Sequence, residues 1–184
     1  MKKKQQIIIL DGPDMTGKTQ IGKELSKRLK IPYFKNENEG RAFKYDIERY
    51  FITMLRYSDP FFVSYLKQTG ASVILDRSYP SEYVYSKVFR RATDIECLKK
   101  LDANYAELGA KIIICCRESY LKKDDLCPEK INLRHYFQMH DRYELFAKEF
   151  TKCDVKFLSV DDEDLKREVN EIIKFIKQPQ VAVT

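Results

Sequence analysis

At 184 residues the chain has the length of one domain, ordinarily about 100–200 residues, and its 43% hydrophobic content with 11 Phe and 12 Tyr supplies a core and excludes a disordered chain. Six Gly and six Pro exclude a collagenous or linker-like chain, and no apolar run approaches the ~20 residues of a membrane span. The 34 basic and 28 acidic residues are interspersed and leave a net charge of +6, which suits small phosphate-bearing ligands as well as a polyanion.

The chain starts basic and turns apolar, but the apolar part is only Ile7 to Leu10. That is short of the ~7–15 residues of a signal-peptide core, so it reads as a buried first strand. A helix is expected from about Gly17 to Leu29, with Ile21, Leu25 and Leu29 on one face. Pro32 to Phe34 is a second strand. Ile47, Tyr50, Phe51 and Met54 mark a helical face that Pro60 interrupts and that resumes through Phe62, Tyr65 and Leu66 until Gly70. Ser72 to Asp76 is a third strand, followed by a helix carrying Tyr83, Val84 and Val88. Another helix runs from an N-cap at Asp94 to Gly109, and Lys111 to Cys116 is a fourth strand. Residues 117–139 are charged and irregular and read as a lid-like segment. Tyr143, Phe146, Ala147 and Phe150 give a helix, Val155 to Val160 a fifth strand, and a last helix turns Leu165, Val169, Ile172, Ile173 and Ile176 inward, with acids in its first turn and Lys174 and Lys177 in its last. Alternating strands and helices with near-continuous apolar strands predict an α/β fold, a three-layer sandwich with a five-stranded parallel sheet and helices on both faces. Residues 1–178 then form one domain, and 179–184 a flexible tail.

Five cysteines, an odd number with no C-x-x-C spacing, and only two His argue against a structural disulfide framework and against a His-rich metal cage. Cys115 and Cys116 lie in an apolar run and read as core thiols. A reduced, cytoplasmic chain is expected.

The sharpest motif is Gly12-Pro-Asp-Met-Thr-Gly17-Lys18-Thr19, which satisfies all eight positions of G-x-x-x-x-G-K-[ST] between a strand and a helix. Its glycines let successive backbone N–H groups face phosphate oxygens at a helix N-terminus. Lys18 is expected on the β- and γ-phosphates of ATP, and Thr19 on Mg²⁺. Gly12, Asp14, Met15, Thr16, Gly17 and Gln20 complete the candidate nucleotide-binding set. Asp76 ends an apolar strand, where an acid that holds Mg²⁺ belongs. Carboxyl ends of parallel strands line one crevice, so Asp76 is expected near Lys18 and Thr19. These residues point to a Mg·NTP-binding domain of the P-loop NTPase class.

Over residues 5–177 the chain resembles the thymidylate kinase-like P-loop nucleoside and nucleotide kinases. Three signatures carry the likeness: the P-loop with an acid at Asp14, the segment Asp76-Arg77-Ser78-Tyr79-Pro80-Ser81, and Asp141-Arg142-Tyr143-Glu144 after the lid. The resemblance implies that Asp14 holds the acceptor's 3′-hydroxyl and that Arg77 grips the acceptor phosphate. It also implies that Arg56, twenty residues before Asp76, reaches the acceptor nucleotide. Ser81 and Tyr85 join the candidate acceptor-binding residues. The chain departs from the family at Ser78, where Tyr is usual, and at Ile52, where a base-stacking Phe is usual. Phe51, Tyr57, Phe61 and Tyr85 are alternative stacking surfaces. Met15 stands where some thymidylate kinases carry an Arg, so a catalytic cation is expected from residues 117–139, with Arg117, Lys122, Lys123 and Arg134 as candidates.

The activity implied is transfer of the γ-phosphate of ATP to a deoxynucleoside monophosphate by Lys18, Arg77, Asp76 and Arg134, with Arg117 on ATP. A deoxynucleoside kinase is the alternative, with Glu37 or Glu39 as general base. A kinase for a nucleic-acid end or a modified base in DNA is less favoured, since no basic run follows Lys2 to Lys4. A non-catalytic nucleotide-binding protein is less favoured still, because Lys18, Thr19, Asp76 and Arg77 are all present. The expected partners are a nucleoside or nucleotide and a second copy in a homodimer, without a membrane.

Overall fold

A computed structural model describes residues 4–35, 47–118 and 131–179. Five strands form one parallel sheet: β1 (Ile7–Asp11), β2 (Tyr33–Lys35), β3 (Val73–Asp76), β4 (Lys111–Cys116) and β5 (Asp154–Ser159), in the order β2-β3-β1-β4-β5. β1 is central because both its faces are apolar and wholly buried. Ile7 and Ile9 point into one layer, Ile8 and Leu10 into the other. The register sets Leu10 beside Asp76 and Asp11 beside Ile114, so the carboxyl ends of three strands finish at one level.

One face is covered by α1 (Lys18–Leu29) and α7 (Leu165–Ile176), through Ile21, Leu25, Val169 and Ile172. On the other, α2 (Ile47–Thr53) leads into the layer that α3 (Asp59–Thr69), α4 (Tyr79–Val88), α5 (Ile95–Glu107) and α6 (Leu133–Leu145) pack onto the sheet. The expected three layers are present. Among the described residues no helix is long and apolar enough to cross a membrane.

Two local expectations change. Pro60 does not interrupt its helix: a π-helical turn at Met54–Ser58 joins α2 to α3, and the Asp59 amide donates to Met54 rather than to residue 55. The wider turn absorbs a proline that has no N–H to donate. Residues 133–139 are not irregular but form the first half of α6. Asn132 caps it by accepting from the His135 amide at 3.1 Å, and the His135 ring accepts in return from the Asn132 amide. The buried stripe Tyr136, Met139 and Tyr143 then pins the helix to the core. Residues 119–130, with Lys122 and Lys123, and most of the expected tail lie outside the described residues.

Candidate active site

The turn after β1 forms the cradle in which the motif expects phosphates. Gly12 has φ 128, and a Cβ there would overlap the carbonyl of Cys115 on β4. Gly17, at φ 69, takes the left-handed conformation that starts α1. Met15, at φ 63, bends the loop between them and stays exposed. Thr16 is buried and donates to the Pro13 carbonyl at 2.9 Å. The Lys18 ammonium turns inward and donates to the Gly12 carbonyl at 3.1 Å, the Pro13 carbonyl at 2.5 Å and the Thr16 hydroxyl at 3.1 Å. Burial, and then the neighbouring Arg77 charge, pull its pKa down to about 8. Gln20 is exposed in the first turn of α1.

Thr19 donates to Asp76 at 2.8 Å, and Tyr33 on β2 donates to the same carboxylate oxygen at 2.6 Å. The expectation that strand ends gather Asp76 near Thr19 matches the register, which sets Leu10 beside Asp76. Gly22 lets Tyr33 in, since a Cβ at that position would overlap the Tyr33 ring. Hydroxyl and carboxylate oxygens are the hard donors that Mg²⁺ takes. Among the described residues no three His, Cys, Asp or Glu side chains converge as a metal cage. A Mg²⁺ ion here would therefore draw its remaining ligands from phosphate oxygens and water, which is its usual habit beside nucleotides.

Opposite the cradle, Arg77 takes φ 72 directly after β3. Its amide donates to the Leu10 carbonyl at 2.9 Å, and its guanidinium donates to the Gly12 carbonyl at 3.3 Å, to Ser81 at 3.0 Å and to the carboxylate of Asp14. Tyr85 donates to the other oxygen of Asp14 at 2.8 Å and lies under the Arg77 guanidinium, 5.2 Å from ring centre to Cζ. Burial works against the charged form of Asp14, but Arg77, Lys18 and the Tyr85 hydroxyl outweigh it and hold the carboxyl below its ordinary value. Asp14, Arg77, Ser81 and Tyr85 thus meet as one cluster.

Asp11 is the organiser that sequence reasoning missed. It is fully buried; one oxygen accepts from the Gly12 amide at 2.8 Å, Ser81 at 2.6 Å and Tyr143 at 2.7 Å. The other accepts from the amides of Ser78 at 3.3 Å and Ser81 at 3.2 Å. Ser78 begins α4 without a side-chain cap of its own, so Asp11 caps that helix from another strand. An acid closing an otherwise apolar buried strand was the available signal.

Beside the cluster opens a cleft of about 550 Å³ whose walls include Phe34, Tyr57, Phe61, Phe62, Leu75, Arg77 and Tyr105. Phe34 and Phe62 stack with centroids 5.9 Å apart. Of the alternative stacking surfaces, Tyr57 and Phe61 line this cleft. Tyr85 is committed to Asp14, and Phe51 lies under the Arg91 guanidinium at 4.5 Å.

Three other candidate cations, Arg56, Arg117 and Arg134, make no hydrogen bond to this cluster among the described residues. Arg56 pairs at 2.8 Å with Asp94, whose other oxygen caps α5 by accepting from the Cys97 amide at 3.0 Å. Arg117 pairs with Glu163 at 3.0 Å, and Arg134 is exposed in the first turn of α6. Glu37 and Glu39 lie outside the described residues. Cys115 is buried and its thiol is pushed up to about 12, as expected of an inert core thiol.

No protein-family model matches the chain, and no curated protein does. Solved structures do. The chain is similar to thymidylate kinase from Ehrlichia chaffeensis, with a TM-score of 0.68 and 15% identity over 95% of this chain and 100% of that one. It is similar to the YorR protein of Bacillus subtilis, solved in complex with phosphorylated GDP, with a TM-score of 0.61 and 17% identity over 93% and 95% of the two chains. It is also similar to deoxyadenosine kinase from M. mycoides with bound dATP, with a TM-score of 0.56 and 20% identity over 94% and 100%. With the cradle at the end of β1 and Asp76 at the end of β3, these likenesses identify the fold of this chain as that of the thymidylate kinase-like P-loop kinases.

Proposed function

We propose that the chain is a kinase that transfers the γ-phosphoryl group of ATP to a deoxynucleoside monophosphate. The observation that carries the reading is the position of Arg77. One guanidinium touches the cradle through Gly12 and Asp14 and also lines the aromatic cleft. Phosphoryl transfer asks a protein chiefly to align two nucleotides and to neutralise charge between them. Arg77 stands where an acceptor phosphate in the cleft and a γ-phosphate in the cradle would meet.

In this reading an oxygen of the acceptor phosphate attacks the γ-phosphorus, the bond to the β,γ-bridging oxygen breaks, and ADP leaves. Lys18 exchanges its carbonyl partners in the loop for phosphate oxygens, which are stronger acceptors for an ammonium. Thr19 and Asp76 would hold Mg²⁺, which would spread the charge of the transferring group. Asp14 orients Arg77 and takes the acceptor's sugar hydroxyl. Arg134, at the start of α6, is the candidate cation that we assign to the transferring group. Among the similar folds, a deoxyadenosine kinase with bound dATP and the YorR protein with phosphorylated GDP support nucleotides as ligands here.

The test is a comparison of initial rates with ATP and three acceptor classes: deoxynucleosides, their monophosphates and short oligonucleotides. Faster ATP consumption with monophosphates than with the other two is the expected result. A preference for unphosphorylated deoxynucleosides would favour the deoxynucleoside kinase reading, and a preference for oligonucleotides the polynucleotide one.

A further inference from the structure

Asp59 stands where the helix pattern calls for an apolar side chain. Leu55, Val63 and Leu66 form the buried stripe of the helix, and Asp59 falls on that stripe one turn after Leu55. It caps nothing. Backbone at Ser58 (φ −72, ψ −47) and Asp59 (φ −66, ψ −45) is continuous right-handed helix, with no side-chain cap bond. Among the described residues no hydrogen bond or ion pair engages its carboxylate. The side chain lines the cleft between the aromatic walls instead, a cleft that Tyr57 on its own helix, Tyr105 on α5, and Arg77 and Ser78 from the turn after β3 also line.

A half-buried carboxylate without a partner costs stability, and such groups recur at sites that supply the partner. We propose that Asp59 reads the base of the acceptor and selects guanine, by accepting hydrogen bonds from the ring N1–H and the exocyclic N2 amine. This rests on the reading that the cleft takes the acceptor nucleotide. Two carboxylate oxygens require two adjacent donors. Guanine presents them side by side. Adenine and cytosine place a ring acceptor beside their amine, and thymine has one N–H between two carbonyls, so each sets a lone pair against the second oxygen. The aromatic walls stack any base, whereas the carboxylate discriminates among them.

Burial pushes the Asp59 pKa up to about 6. The protonated form would place an O–H against a guanine donor. Guanine affinity therefore rises as pH rises through about 6, while the protonated form accepts the edges of the other bases. Arg77, the one cation lining the cleft among the described residues, keeps its charge throughout this range.

The test is calorimetric binding of dGMP, dAMP, dCMP and dTMP to the full chain and to Asp59→Asn, at pH 5.5 and 7.5, alongside ATP-dependent transfer to each. The expected result at pH 7.5 is a preference for dGMP over dTMP of roughly tenfold to a hundredfold, the worth of a charge-assisted pair. Asp59→Asn should abolish that preference, and the wild-type preference should weaken at pH 5.5, a readout that needs no variant. Equal binding of dGMP and dTMP, or a preference unchanged in Asp59→Asn, would overturn the inference. Transfer to dTMP in preference to dGMP overturns the base assignment and leaves the kinase reading standing. Asp59-dependent dGMP binding without transfer from ATP does the reverse, and failure of all four nucleotides to bind removes both.

Discussion

Arg77 and Asp14 form an ion pair across the mouth of the phosphate cradle, although 63 residues separate them in the chain. From a left-handed turn, the Arg77 side chain reaches Gly12 and Asp14 after β1 and Ser81 on α4 together. Such a conformation costs a bulky residue about 1–3 kcal/mol, which the four hydrogen bonds of the guanidinium and amide offset. Arg77→Ala should lower kcat/KM for the acceptor by about a hundredfold or more while changing the KM for ATP little. Steady-state kinetics with each substrate varied in turn decide this. An effect confined to the KM for ATP would contradict the assignment.

Asp14 divides the acceptor readings. If it takes the sugar 3′-hydroxyl, Asp14→Ala should lose about 1.5–3 kcal/mol, the worth of a hydrogen bond to a charged group, or roughly ten- to a hundredfold in kcat/KM. A 3′-deoxy acceptor should be poor with the wild type and should lose less with the variant, only what the freed Arg77 costs. Equal losses on both acceptors would reduce Asp14 to a partner of Arg77 and Tyr85.

Lys18 gives a pH signature. In the free protein its ammonium is fully charged below about 8 and is lost as pH rises through that value. ATP should therefore bind more weakly above pH 8, and Lys18→Ala should bind ATP with no such dependence. The sign for stability is opposite. The pKa is depressed from its ordinary 10.5, so the cost of burying this charge is relieved as pH rises between about 8 and 10.5. Binding titrations and denaturant unfolding over pH 7–10 (about the range in which a depressed lysine titrates) separate the two effects.

Asp11 should matter to the fold before it matters to chemistry. Asp11→Ala leaves the amides of Ser78 and Ser81 and the hydroxyl of Tyr143 without their acceptor in a buried setting. A loss of about 3–5 kcal/mol is expected, as for other broken buried charge networks. Urea unfolding measures it, and a loss below about 1 kcal/mol would show that the network relaxes onto other acceptors.

The cradle was legible because its chemistry is local: Gly12, Gly17, Lys18 and Thr19 lie within one turn, and each residue type has its own reason to be there. Asp76 was legible from strand polarity, because a parallel sheet gathers the carboxyl ends of strands. The cap that Asp11 provides for α4 was not, since it depends on the register of two neighbouring strands. Asp59 was hidden by Pro60, which reads as a break. Only the π-helical turn keeps the two halves on one stripe and brings the carboxylate to the cleft. The pairing of Arg56 with Asp94 was not legible either, because it joins two helices 38 residues apart in sequence.

The most direct measurement follows the γ-phosphate itself. The chain is incubated with γ-labelled ATP, Mg²⁺ and a panel of deoxynucleoside monophosphates, and the products are separated by thin-layer chromatography. Label in a deoxynucleoside diphosphate, lost in Lys18→Ala while that variant keeps the wild-type fold by circular dichroism, is the expected result. Label released only as inorganic phosphate, or transfer undiminished in Lys18→Ala, would contradict the assignment of the cradle and the cleft to one phosphoryl-transfer site.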